Sequence, residues 1–363
     1  MKKLDRYILG KFLRTFLFSL VLFTVVVVMI DISEKTDDFV KSKLPALTIL
    51  TDYYFGFIPR IDAMLFPLFV FISVIFFTAK MADRSEVIAI LASGVSLRRF
   101  LLPYWMGSIF LGLILWIGNQ YFLPKANAIW GAFDAKYLDF SPTANGAKAF
   151  PQNFYFRIDS HTYAGIRYYD TVNKSGGMFF VQRFDTNTMT YNLRADNINW
   201  DSAGKKWKLN RVAERVIGRD EEQVQIKFGV DTAYNFGPQD LRRDEYLKDR
   251  LNTRDLDRLI ALERLRGSEG INTLLIERYN RDAIPVSVII LALIGGILAS
   301  RKVRGGSGMQ LAIGIVLSVL YILLGRFSLV FATKGNFPAL LAAWLPNMIF
   351  AGVAYYLYRR AAR

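Results

Sequence analysis

The chain has 363 residues, of which 53% are hydrophobic, with no cysteine and a single histidine, and its mean hydropathy is +0.24. That is too apolar for a soluble chain of this length, and the lack of cysteine excludes disulfides and thiolate metal sites. The net charge of +15 does not point to nucleic acid, because many basic residues cluster beside apolar blocks: Lys2, Lys3, Arg6, Lys11 and Arg14; Arg98 and Arg99; Arg301, Lys302 and Arg304; Arg359, Arg360 and Arg363. Lys and Arg in such places set membrane topology and meet anionic headgroups.

A helix needs about 20 apolar residues to cross a hydrocarbon core, and six blocks approach that length: residues 12–30, 63–79, 100–123, 284–300, 309–332 and 338–358. The first has a basic start like a signal peptide. It is long, however, and Asp31, Ile32 and Ser33 follow it instead of a small-residue cleavage site, so it reads as a retained helix. The positive-inside rule places the N-terminus, residues 80–99, residues 301–304 and the C-terminal tail on the cytosolic side. The loop 31–62, the long middle segment and residues 333–337 then face outward. The expected division is 1–123 for three spans, 124–252 for an extracytoplasmic β domain, 253–283 for a helical connector and 284–363 for three more spans.

In the middle segment the pattern changes to period two. Phe154, Phe156 and Ile158 alternate with polar residues, as do Met189, Tyr191, Leu193 and Ala195, and then Val224, Ile226 and Phe228. Turn clusters at 173–177, 201–204 and 218–220 separate the runs, which predicts an antiparallel sandwich or jelly-roll with Trp200 and Trp207 in its core. From 253 to 282 the period is helical again, and Gly267 and Gly270 divide it into two short amphipathic helices leading to Pro285 in the first turn of the fourth span.

Catalytic signatures are missing. There is no G-x-x-x-x-G-K-[ST] loop and no G-x-S-x-G elbow, and His161 reads as a surface or strand-end residue of the β domain. No pair of carboxylates within the apolar blocks suggests a proton relay. No cofactor and no enzymatic activity are expected on this chain.

The loop after the second block carries a short helix over about 83–94. Asp83 or Ser85 can cap it, Glu86 lies in its first turn, Val87, Ile88, Ile90 and Leu91 recur at helical spacing, and Gly94 can end it. Such a helix can dock in a partner's groove, with Glu86 meeting a basic residue and Val87, Ile90 and Leu91 supplying apolar contact. It can equally be an interfacial connector.

The start Leu4, Asp5, Arg6, Tyr7, Ile8, the Arg84, Ser85, Glu86, Val87 run with Ala92, Ser93, Gly94, and the Gly-rich stretch 301–308 resemble the lipopolysaccharide-export permeases of the LptF/LptG family, with the start leaning towards LptG. The resemblance implies a half-transporter that pairs with a sister permease and receives work from a dimeric ABC ATPase at the 83–94 coupling helix. It also implies that lipopolysaccharide passes through a periplasmic jelly-roll to a bitopic bridge protein. In the family a lysine near the outer end of the first span is thought to meet lipid phosphates; Asp31 stands there in this chain, with Lys35, Lys41 and Lys43 further on. Lys35, Lys41, Arg60 and Arg326 are therefore the lipid-binding candidates. Arg326 lies within the fifth block and either faces a polar cavity or snorkels. Arg60 is alternatively the partner of Asp62 in a local ion pair. A membrane scaffold or a sensor with a periplasmic β domain is the competing reading of the whole chain.

Overall fold

The structure, a computed structural model, describes residues 3–134, 137, 154–170, 173–185, 188–218, 221–234, 236–238, 241, 247–266, 270–301, 306–335 and 337–361. Gly267, residues 219–220, residues 302–305 and Arg363, all used in reading the sequence, lie outside them. The chain divides into a helical unit (Met1–Phe133, Lys248–Leu256, Asn272–Arg363) and a second unit (Asp134–Leu247, Asp257–Ile271) that holds the strands.

The helical unit opens with α1 (Lys3–Ser42), a single helix of 40 residues, roughly 60 Å long. It outruns the 12–30 apolar block because nothing in the polar part breaks it, and Asp31–Lys35 and Asp38–Lys41 pairs at helical spacing support that stretch. Helix α2 (Ala46–Thr48) and a π-helical turn (Ile49–Tyr54) lead into α3 (Phe55–Asp83), followed by α4 (Glu86–Ala92) and α5 (Leu97–Ile117). A second π-helical turn (Gly118–Phe122) joins α5 to α6 (Leu123–Phe133). After the strands come α7 (Leu247–Arg250), α8 (Thr253–Arg266), α9 (Ile271–Ala299), α10 (Gly306–Lys334) and α11 (Ala339–Ala361).

Six helical stretches among the described residues are long and apolar enough to cross a membrane: Lys3–Ser42, Ala46–Asp83, Leu97–Phe133, Ile271–Ala299, Gly308–Lys334 and Ala339–Ala361. One expectation is corrected. The second amphipathic helix of the connector and the fourth apolar block are one continuous helix, α9, so Pro285 lies in its interior and not in a first turn. Proline in such a helix is tolerated where neighbouring helices cover the disrupted backbone. Helix α5 packs close beside this point at Gly112, where an added Cβ would come within 3.0 Å of the Pro285 carbonyl oxygen.

Helix α3 is the most enclosed of the early helices. Its Phe66, Phe69 and Val70 join Phe12 and Phe16 of α1, Phe100 and Tyr104 of α5 and Val288 of α9 in one buried cluster. Its Phe71, Ile75 and Ala79 join Leu291 and Ile294 of α9 and Phe350 of α11 in another. By contrast Leu17, Phe18, Val21 and Met29 of α1, and Val316, Leu320 and Phe327 of α10, are exposed. In water so much exposed apolar surface would be an aggregation hazard, whereas lipid or another membrane chain covers it at no such cost.

The second unit is an antiparallel sheet: β1 (Phe154–Arg157), β2 (Thr162–Asp170), β3 (Ser175–Asp185), β4 (Thr188–Asp201), β5 (Lys206–Ile217), β6 (Glu222–Lys227) and β7 (Val230–Thr232). The order is β1-β2-β3-β4-β5-β6, with β7 also paired to β5. The register Ile166↔Phe179↔Ala195↔Val212 carries one apolar row across four strands; of the runs read as alternating, Leu193 and Ala195 are buried, whereas Val224, Ile226 and Phe228 are exposed. Trp207 is fully buried and donates from Nε1 to the Phe236 carbonyl oxygen at 2.9 Å. Trp200 is half-buried with its ring 4.9 Å from that of Trp207.

Candidate functional site

Helix α4 is a short rod between two left-handed backbone points. Ser85 precedes it at φ 61 and Gly94 follows it at φ 88, and the Gly94 N–H returns to the Leu91 carbonyl at 3.1 Å. Gly94 thus ends the helix as its freedom at positive φ allows. Ser85 occupies the capping position without a side-chain bond to the helix, and Asp83 is the last residue of α3.

The two faces of α4 are opposite to the sequence reading. Val87 is 0% exposed, and Ile90 and Leu91 pack against the same core of spans. The i, i+3, i+4 stripe therefore anchors α4 to its own chain and does not form an outward apolar surface. Ile88, 48% exposed, with Ala89 and Ala92 lines the outer face. Glu86 sits at the edge of that face. Its Oε2 accepts from the Tyr7 hydroxyl at 3.2 Å, and Arg84 Nη1 lies 3.9 Å from its Oε1. A second tie was also invisible in the sequence: Arg99, in the first turn of α5, donates from Nη2 to the buried Asp5 carboxylate at 2.7 Å. The only signal available beforehand was an acid placed among the bases of the N-terminus.

The lipid-binding candidates fall in different settings. At the far end of α1, Asp31 is buried and accepts from the hydroxyls of Tyr53 (3.1 Å) and Tyr54 (3.0 Å) in the π-helical turn. Lys35 lies 3.7 Å from the same carboxylate, bonds the Tyr53 hydroxyl and sits 4.7 Å over the Tyr53 ring. Lys41 is exposed, 3.9 Å from Asp38. Arg60 stacks its guanidinium over the Trp130 ring at 4.0 Å, while Asp62 accepts from Thr24 Oγ1 at 2.7 Å. Two positions apart on one helix they face different neighbours, so the local ion pair expected between them is not made. Arg326 is exposed on α10 beside exposed Phe327.

A third feature, also not foreseen, secures the chain where it re-enters the helical unit. Arg281 of α9 is 4% exposed and donates to the carbonyls of Lys248 and Leu251 at 2.9 Å each, to Thr253 Oγ1 at 3.1 Å and to Glu277 at 3.2 Å. A buried guanidinium is tolerated only when so many of its donors are used.

Within the β unit a cavity of about 330 Å³ has Val181, Leu193 and Val212 among its walls, together with Arg183, Glu214 and Lys227. Lys227 and Tyr191 both bond Glu214, which holds its carboxyl below the usual range; Arg183 Nε reaches Thr162 Oγ1 at 3.3 Å. Burial pushes the Tyr191 phenol up. The site pairs an apolar wall with a charged one, as an amphiphile requires. His161 is exposed at the turn before β2, with Nδ1 2.7 Å from Ser160 Oγ.

Against known proteins, the model of the family described as "Lipopolysaccharide export system permease LptF/LptG" matches residues 6–360, a description that covers both sister permeases. An uncharacterized protein of Aquifex aeolicus (strain VF5) is 27% identical over 203 residues, which are 54% of this chain and 51% of that relative, so the match spans about half of the relative's length. With the family match running across nearly all of a chain that carries six helices long and apolar enough to cross a membrane and an antiparallel β sheet, the chain belongs to the lipopolysaccharide-export permease family LptF/LptG.

Proposed function

We propose that this chain is one half of the membrane part of an ABC exporter. It pairs with a sister permease, takes lipopolysaccharide from the inner membrane and is driven by a dimeric ATPase on separate chains. The six apolar stretches thread the membrane as three plus three with both termini in the cytosol, and the β unit stands in the periplasm as a jelly-roll-like domain. It hands the lipid to a bitopic bridge protein, for which the exposed edge strand β6, with Val224 and Ile226 uncovered, is the natural docking edge.

The observation that carries the energetic part is α4. A subunit with no nucleotide loop must receive work through a surface, and α4 has one face fixed to the core at Val87, Ile90 and Leu91 and the other open at Ile88, Ala89 and Ala92. Glu86 supplies the charge that meets a basic groove residue, and Gly94 lets the chain turn away. Arg326, directed off its own chain, and Lys35, Lys41 and Arg60 near the far end of α1 and α3 are the cations that meet lipid phosphate. Purification of the tagged chain from native membranes tests the reading. An ABC ATPase, a sister permease and bound lipopolysaccharide are expected to come with it; a chain that carries neither ATPase nor lipid is a scaffold or sensor instead.

A further inference from the structure

Helix α4 has seven residues, far too few to hold a helix or a direction unaided. What it packs on sets how its outer face is presented. Besides the apolar stripe, two polar ties join α4 and its exit to the first turns of α1, and they grip both flanks. Tyr7 reaches Glu86 at the start of α4, and Asp5 holds Arg99 just past its end. These contacts close separations of 79 and 94 residues along the chain. Asp5 is 3% exposed and its partner's side chain 33%, so the ion pair is shielded from the water that weakens exposed pairs. The backbone on either side of α4 is at left-handed points, Ser85 and Gly94; the polar ties bracket those two joints.

We infer that the start of α1 is a clamp that orients the coupling helix: Asp5 and Tyr7 are positioning residues that act through Arg99 and Glu86 on the transfer of work from the ATPase. The inference rests on the proposed docking role of α4. Tyr7 also fixes which way the Glu86 carboxylate points, leaving its remaining lone pairs for a basic group of the partner.

The test uses the full complex, with sister permease and ATPase, in proteoliposomes that contain lipopolysaccharide. The readout is lipid released per ATP hydrolysed, alongside the amount of chain inserted. Asp5→Arg and Arg99→Asp are each expected to lower that ratio by about tenfold, and the double swap to recover most of it, since contacting charges couple non-additively. Asp5→Asn and Tyr7→Phe, which change little else, are expected to lower the ratio several-fold with insertion unchanged, and Asp5→Glu to stay near wild type. If Asp5→Asn and Tyr7→Phe keep the wild-type ratio, or the swap recovers nothing, there is no clamp. Ile88→Asp separates this from the docking reading. Loss of the ATPase in Ile88→Asp with a wild-type ratio in the clamp variants overturns the clamp alone, whereas retention of ATPase and release in Ile88→Asp overturns the docking role of α4.

Discussion

Asp31 stands where the family resemblance led to a lysine facing lipid, and its surroundings give it different work. Its carboxylate accepts from Tyr53 and Tyr54, which ties α1 to the turn that starts α3. Asp31→Ala leaves two enclosed hydroxyls without their acceptor, at a cost of about 1–3 kcal/mol each. A lowered melting temperature of the purified chain is therefore expected, with Asp31→Asn milder because an amide oxygen still accepts; an unchanged melting temperature in the alanine variant would remove the carboxylate from this role. The residue scale was the least legible in the sequence. Asp5 and Arg99, or Asp31 and Tyr54, are charged or polar positions whose partners are chosen by helix packing, and no local spacing announces a contact 94 residues away.

At the scale of elements, α4 shows both the strength and the limit of periodicity. The pattern gave a helix over about 83–94 where α4 runs from Glu86 to Ala92 before the turn at Gly94, and the apolar stripe was assigned to a partner when it faces the chain's own core. A short helix that links two spans can bury its apolar stripe on the ends of those spans, so the same i, i+3, i+4 spacing fits an inward anchor as well as an outward docking face. Val87→Asp buries a carboxylate among the spans, costing several kcal/mol, and is expected to deplete the chain from membranes. Ile88→Asp is expected to leave membrane levels normal and to lose the ATPase on purification. The reverse pattern would restore Val87 to the docking face. The sheet was legible in part: Leu193 and Ala195 alternate because one face of β4 is buried, whereas Val224 and Ile226 alternate on β6 without being covered. The continuity of α9 through Pro285 was not legible, since proline reads as a boundary in the sequence whatever packs beside it in the fold.

For the molecule as a whole, the six apolar stretches were visible because about 20 consecutive apolar residues have few other uses, while the 40 residues of α1 were not, because its polar end carries no hydropathy signal. Short basic loops hold their side of the membrane. Tags at Lys3, Val303 and Arg363 are therefore expected to be protected in spheroplasts and one at Ser175 to be cleaved by added protease; cleavage of the C-terminal tag would break the six-span threading. The claim that matters most is that this chain moves lipid with energy supplied by another chain. Its most direct test is lipopolysaccharide release from proteoliposomes holding this chain, its sister and the ATPase. Release is expected only with hydrolysable ATP and an active ATPase, and to stop when the ATPase is omitted or catalytically inactive; release that continues under either condition would contradict the account.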